Sequence, residues 1–238
     1  MITLAAVTAA CGGAQAVSPS VQRSPVATSA PSPAPLSEWQ RLGATEVPPA
    51  SLRQVPLRGV SVVDEAGSSV SDTDARAWAG AYLRSLGYLE WAVSRGQDLF
   101  LLRSGLSSAP EAVFQPNVND IAQARRAGMH VEYQRETIRR LVVRAVPQGL
   151  QAAFQRQRFA WQPYAVFIDA VGPAANVWVD DQGHRTVKSQ IAAGVAAYEL
   201  VGGALKQDPL MGGVWVAGSD WDCTSPAARQ ALAPLCNP

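Results

Sequence analysis

The chain is 238 residues long and carries 20 lysines and arginines against 19 aspartates and glutamates, a net charge of +1. That balance argues against a nucleic-acid-binding protein, which needs a basic surface to meet phosphate. Three cysteines and two distant histidines, His130 and His184, show no metal-ligand spacing, and no cofactor fingerprint is present.

Residues 1–10 are uncharged, small and apolar, and Cys11 follows the small residues Ala9 and Ala10. Gly12 and Gly13 come next, then a tract of Ala, Ser, Pro and Thr. This is the pattern of a bacterial lipoprotein export signal, in which the cysteine is acylated and becomes the new N-terminus. A helix needs about 20 apolar residues to span a bilayer, so this stretch is too short to cross one. No lysine or arginine precedes Cys11, and Thr8 stands where Leu or Val is usual, which predicts a translation start upstream of Met1. Stable anchoring takes more than one acyl chain, and a diacylated or triacylated cysteine supplies that. The expected location is the extracytoplasmic face of the cell membrane.

Residues 14–37 hold one charge, Arg23, and five prolines, Pro19, Pro25, Pro31, Pro33 and Pro35. Such a segment buries too little apolar surface to offset its ordering entropy, which predicts an extended, disordered tether. Beyond it the composition suits one globular domain: an N-terminal extension over 38–69, where Trp39 and Leu42 pack down, then the main domain over 70–238 with a C-terminal tail.

Ser71 caps a predicted helix, with Asp74 three residues on. Ala75, Trp78, Ala79, Tyr82, Leu83 and Leu86 then recur at helical spacing, and Gly87 stops or bends the helix. Residues 98–103 form a short helix or buried segment ending at Gly105. A third helix is predicted over 118–127, with Asn117 as its cap and Gly128 as its stop. After Gly128 the period changes to that of strands. Strands are expected over 130–133 and 138–146, over 150–159 with some helical ambiguity, and centrally over 164–170. Another covers 176–179, before Asp180-Asp181-Gln182-Gly183, a strong hairpin turn. Residues 186–200 read as a long strand, Gly202-Gly203 to Pro209 as a loop, and 213–217 as the last strand. Between 121 and 160 eight arginines (125, 126, 135, 139, 140, 144, 156 and 158) face only Glu132 and Glu136. That band either meets anionic lipid or wall polymer, or is the solvated face of strands and helices. Cys223 and Cys236 remain as a pair, and a disulfide between them fits an exported protein.

Helices first, then an antiparallel meander, give an α+β fold with N-terminal helices packed on a curved sheet. The order of elements resembles the NTF2-like superfamily. The likeness rests on the segment from Ile121 through Ala127-Gly128 to Val131, on Val166-Phe167-Ile168-Asp169 ahead of Trp178-Val179-Asp180-Asp181-x-Gly183, and on the late Gly213-Val214-Trp215-Val216. It is closest to secreted and lipoprotein members from high-GC Gram-positive bacteria, and it covers residues 70–223. In many of those a cysteine stands in the strand before the hairpin, where Ala170 is nearby here. The resemblance implies a cone whose sheet curls around an apolar pocket, with Asp, His, Tyr or Arg inside it for acid–base work in the enzymes of that fold. The candidates are Asp169, Tyr164, Tyr198, Asp180, Asp181 and His184. Asp169 leads, because it lies in an apolar strand; burial there raises a carboxyl pKa, whereas strand alternation can equally aim it at a neighbouring arginine. His184 is the second candidate, just after the turn. Asp180, Asp181 and Gly183 are read as a turn before they are read as a cation site.

No Gly-x-Ser-x-Gly, Walker loop or His-Glu-x-x-His occurs. The expected function is therefore that of a non-enzymatic envelope lipoprotein that binds a partner protein or a small apolar ligand, or serves assembly. The alternative is a pocket enzyme of isomerase or dehydratase type. What lines the cone separates the two: convergent polar groups with a solvent entrance favour the pocket, and a filled core with an apolar outer face favours a partner.

Overall fold

The computed structural model describes residues 36–65, 70–147, 149–150, 164–172, 174–190 and 197–236. Cys11 and the tether up to Pro35 lie outside these residues, as does nearly all of the strand expected over 150–159; Ser37, given to the tether from sequence, instead caps the first helix. Leu36–Pro238 form one compact unit.

The first ordered element is α1 (Glu38–Arg41). Its start is fixed locally, because Ser37 and Gln40 exchange side-chain and backbone hydrogen bonds as a capping box. That turn places Trp39 against Tyr88 and Phe100, with ring centroids 6.1 and 6.2 Å away. A 3-10 turn (Ala50–Arg53) leads to β1 (Ser61–Asp64), which pairs in parallel with a later strand. Residues 38–65 thus supply a helix, a turn and an edge strand to the same unit.

The longest helix is α2 (Asp72–Ser94). Ser71 accepts from the Asp74 amide and donates its hydroxyl to the Asp74 carboxylate, satisfying a free N-terminal amide. Gly87 does not stop it. The missing side chain lets Leu52 close on the helix, 3.2 Å from where a Cβ would stand. A short helix, α3 (Asp98–Arg103), and a long one, α4 (Pro110–Arg126), follow. The last begins eight residues before its expected start, with Pro110 in the first turn, where no amide is needed. The chain runs on through Pro116 because the carbonyl that loses its bond belongs to exposed Ala112. Asn117 is not a cap; it is buried and bonded across to Asn176. Gly128, at φ +70°, ends the helix as expected.

Three long runs of chain then fold back and forth, and each carries two strands. The first is β2 (His130–Gln134) and β3 (Thr137–Ala145); the second is β4 (Tyr164–Val171) and β5 (Ala175–Val179); the third is β6 (Arg185–Gln190) and β7 (Ala197–Asp208). A final strand, β8 (Gly212–Asp222), closes the meander. On one side the strand order is β2-β5-β6. On the other it is β1-β3-β4-β7-β8, and every pairing is antiparallel except β1 with β3. The same three runs therefore pair twice, once on each side of a common crease. The architecture is α+β, built on a curved and mainly antiparallel sheet.

Both faces of the five-stranded part are covered, which explains the unbroken apolar run of β4. Val166, Ile168 and Ala170 meet Trp78, Tyr82 and Leu83 of α2. Ala165 and Phe167, pointing the other way, meet Leu232 and Leu235. These come from the end of the chain, α5 (Pro226–Ala231) and α6 (Ala233–Cys236). The second half of α2 crosses the crease to pack Tyr88, Trp91 and Ala92 with Phe100, Phe114, Val131 and Trp178.

Gly202 and Gly203 are not in a loop. They sit inside β7, at a bulge in its pairing with β8. The loop expectation read the glycines as punctuation, whereas a strand glycine also marks a place where another group must approach closely. Here that group is the indole of Trp215.

Cys223 and Cys236 are bonded, with 5.4 Å between their Cα atoms, and they pin the last helix to the end of β8. A closed loop of this size stabilises by about 3 kcal/mol through the unfolded state. Cys223→Ser with Cys236→Ser should therefore lower the melting temperature by roughly 6–12 °C at this chain length. Calorimetric scans with and without reductant test this; an unshifted transition would show that packing of Leu232 and Leu235 alone holds the tail.

Candidate functional site

The crease and the helices above it enclose a cavity of about 290 Å³, open on one side. Leu86 and Leu89 of α2, Leu106, and Val113 and Phe114 of α4 supply most of its apolar lining. Two polar ties hold the walls apart. Ser85 of α2 accepts from the Trp215 amide at 2.7 Å, clamping helix to β8. Asn176 of β5 donates to Asp120 at 2.7 Å and accepts from Asn117 at 3.4 Å, clamping the sheet to α4.

Into this apolar space point three carboxylates and two phenols: Glu136, Glu199, Asp220, Tyr82 and Tyr133. Glu136 occupies the two-residue gap between β2 and β3, at the crease itself. Glu199 lies on β7 opposite Ile168 on one side and Asp222 on the other. Asp220, opposite Val201, is on the same face of β8. Asp222 turns aside, accepting from the amide and hydroxyl of Thr224. Glu136, Glu199 and Asp220 have no ion-pair partner among the described residues, and no lysine, arginine or histidine lines the cavity there. Most other acids have a basic partner: Asp98 has Arg125, Glu90 has Arg135, Glu132 has Arg185 and Glu65 has Arg144.

An unpaired carboxylate in an apolar enclosure resists ionisation. Burial, with Asp220 and Glu136 adding repulsion, pushes Glu199 up to about 8. Asp220 is raised too, by burial and by Glu136. Asp220 is exposed and Glu199 half-buried, so burial weighs less on Asp220 than on Glu199. Tyr82 and Tyr133 are pushed above the usual phenol range, first by burial and then by the same carboxylates. Glu199 therefore keeps near neutral pH a proton that an exposed carboxyl would have lost.

No family model, curated protein or solved structure matches this chain.

The residues singled out from sequence lie elsewhere. Asp169 is on the face of β4 turned away from α2, where Arg139 pairs with it. Tyr198 stacks on Phe167 on that same far face, 5.2 Å between centroids. Tyr164 opens β4. Asp180 closes the hairpin turn by accepting from the amides of Gln182 and His184 and from the His184 ring at 2.9 Å. Those bonds hold its carboxyl below the usual range. Asp181 and His184 are exposed beside it. Of the six described arginines of the basic band, Arg125, Arg135, Arg139 and Arg144 are each paired with a different acid. Sequence reading missed Glu136, Glu199 and Asp220. The signal for Glu199 was available, since it stands in Tyr198-Glu199-Leu200-Val201 as Asp169 stands in its own apolar strand.

Proposed function

We propose that this chain is an extracytoplasmic lipoprotein domain, anchored through a lipid on Cys11, that holds a small molecule in the cavity at the crease of its sheet. One observation carries the reading: an apolar cavity with a solvent entrance on which unpaired polar groups converge, the usual form of a small-molecule site. The alternative of a broad apolar docking face has less support, because among the described residues the exposed large apolar side chains, Leu36, Val47, Leu99 and Val187, are scattered along the chain. The succession of three helices and a creased meander supports reading the fold as the cone of the NTF2-like superfamily. A tether of the kind predicted for 14–37 lets such a domain work at a short distance from the membrane.

A second reading, a pocket enzyme of isomerase or dehydratase type, is favoured by the raised carboxyls of Glu199 and Asp220 beside two tyrosines, an arrangement suited to acid–base exchange near neutral pH.

Native mass spectrometry of the intact protein, extracted from the envelope of its own host, tests the binding reading. The expected result is a small molecule that stays with the folded protein and is lost from Leu89→Trp, which fills the cavity. A protein that arrives empty, and whose Cys11→Ala variant still sediments with membranes, would overturn both halves of the proposal. Turnover of the released molecule by the protein would move the assignment to the enzyme reading.

A further inference from the structure

We infer that the cavity takes a small organic cation, with an ammonium head among Glu136, Glu199 and Asp220 and an apolar body against Leu86, Leu89 and Phe114. The inference rests on the binding reading above and adds the class of ligand.

Charge is the first argument. Three acids line one apolar cavity, and no basic side chain lines it with them among the described residues. The groups that face Glu199 are Tyr82 from α2, Tyr133 and Glu136 from around the start of the meander, and Asp220 and Asp222 from β8. All are acidic or neutral. Leaving such a set uncompensated costs free energy, and a bound cation supplies the missing partner.

The phenols are the second and independent argument. Tyr82 and Tyr133 are only 5% and 7% exposed, both line the cavity, and their hydroxyls have no hydrogen-bond partner among the described residues. Both side chains are buried, yet each hydroxyl keeps some open surface and is left unpaired by the protein, and both residues line the cavity, within reach of a ligand there. An ammonium head donates hydrogen bonds that a phenol oxygen and a carboxylate can both accept.

The third argument is shape. Within the described residues the carboxylates do not converge as the ligands of one metal ion do. They are spread around a space walled by Tyr82, Tyr133, Phe114 and Trp215. Acids spread among aromatic rings suit an organic cation larger than a bare metal ion, which aromatic rings attract. The apolar walls then select an ammonium that carries a hydrocarbon body.

Binding of a cation must also move a proton. Near neutral pH Glu199 holds one, and a positive head favours its ionised form, so the proton leaves to solvent as the ligand enters.

Titration calorimetry of the intact protein with phenethylammonium, phenethyl alcohol and hydrocinnamate tests this. The three probes share a ring and a two-carbon arm and differ in the charge of the head. Phenethylammonium should bind at least tenfold more tightly than the alcohol, and hydrocinnamate should not bind. Its affinity should rise as pH increases from about 5 to about 8, and its heat at about pH 7 should vary with buffer in the sense of proton release. Glu199→Gln and, separately, Asp220→Asn should each weaken the ammonium tenfold or more and leave the alcohol unchanged; Asp169→Asn should change neither. Equal binding of ammonium and alcohol, or an ammonium affinity untouched by both substitutions, would overturn the cation while leaving the cavity as a binding site. Failure of all three probes to bind the wild-type protein would overturn the cation and count against the cavity reading as well.

Discussion

Glu199→Gln should make the unliganded protein more stable at about pH 8 and leave its stability unchanged at about pH 4. The carboxyl of Glu199 has its pKa raised in the folded protein, from 4.5 to about 8, by burial and by Asp220 and Glu136. Between those two values the native state holds a proton that the unfolded chain has released. Stability from this group is therefore lost as pH rises, and the full cost is present above the folded value. Glutamine keeps the shape and never ionises. Below the ordinary carboxylate range the two side chains are equivalent, since both are neutral. Above it the wild type must either keep a proton against the solution or bury a charge. Solvent reaching the cavity through its mouth screens part of that cost, leaving about 2 kcal/mol at pH 8. For a domain of this size the melting temperature should rise by about 4–8 °C. Thermal melts at three pH values check the result, and the slope matters more than any one value. A gain that is constant with pH would mean that the substitution acts through packing. A loss at about pH 8 would mean that Glu199 has a counter-charge in the folded state. Weaker ligand binding in a more stable protein is the expected combination at a site whose polar groups are kept for a ligand.

How much of this was legible in the sequence depends on the range of the interaction. The start of α2 was readable because Ser71 and Asp74 act within one turn, and the hairpin at Asp180 was readable because Asp180 bonds the next few amides. The disulfide was readable by counting cysteines. The start of α4 was not, because Asn117 has the chemistry of a cap and spends it instead on Asn176, far away in the chain. The site was hidden for a similar reason. Asp169 and Glu199 are each an acid in an apolar strand, and both faces of this sheet are covered, so alternation alone does not say which face holds a cavity. What separates them is Arg139 across the pairing from β4, and the register that puts Glu199 and Asp220 on the face under α2. Glu136 joins them only because the first long run of the meander breaks at that residue.

Gly203 of β7 gives an expected loss as large as that of the disulfide. Gly203→Ala should destabilise the protein by about 3 kcal/mol, lowering the melting temperature by roughly 6–12 °C, although alanine normally favours the folded state over glycine. A Cβ at this position would run into the carbonyl oxygen of Val216, and into the indole of Trp215, whose Cε2 lies 2.7 Å from it. The first obstacle is backbone on the paired strand and cannot yield without opening the β7–β8 register. The second is a ring 1% exposed, held edge-on against Trp78 at 5.1 Å between centroids and fixed at its amide by Ser85. Moving it would shift a wall of the cavity. Stability and ligand retention should therefore fall together in this variant. Gly87→Ala in α2 is the contrasting case. Its new methyl would meet only the flexible end of Leu52, 3.2 Å away, and helix propensity favours alanine by about 1 kcal/mol. Gly87→Ala should be neutral or slightly stabilising in the same chemical denaturation series. If Gly203→Ala proves as mild as Gly87→Ala, the indole is free to move, and Trp215 would be a gate to the cavity instead of its wall.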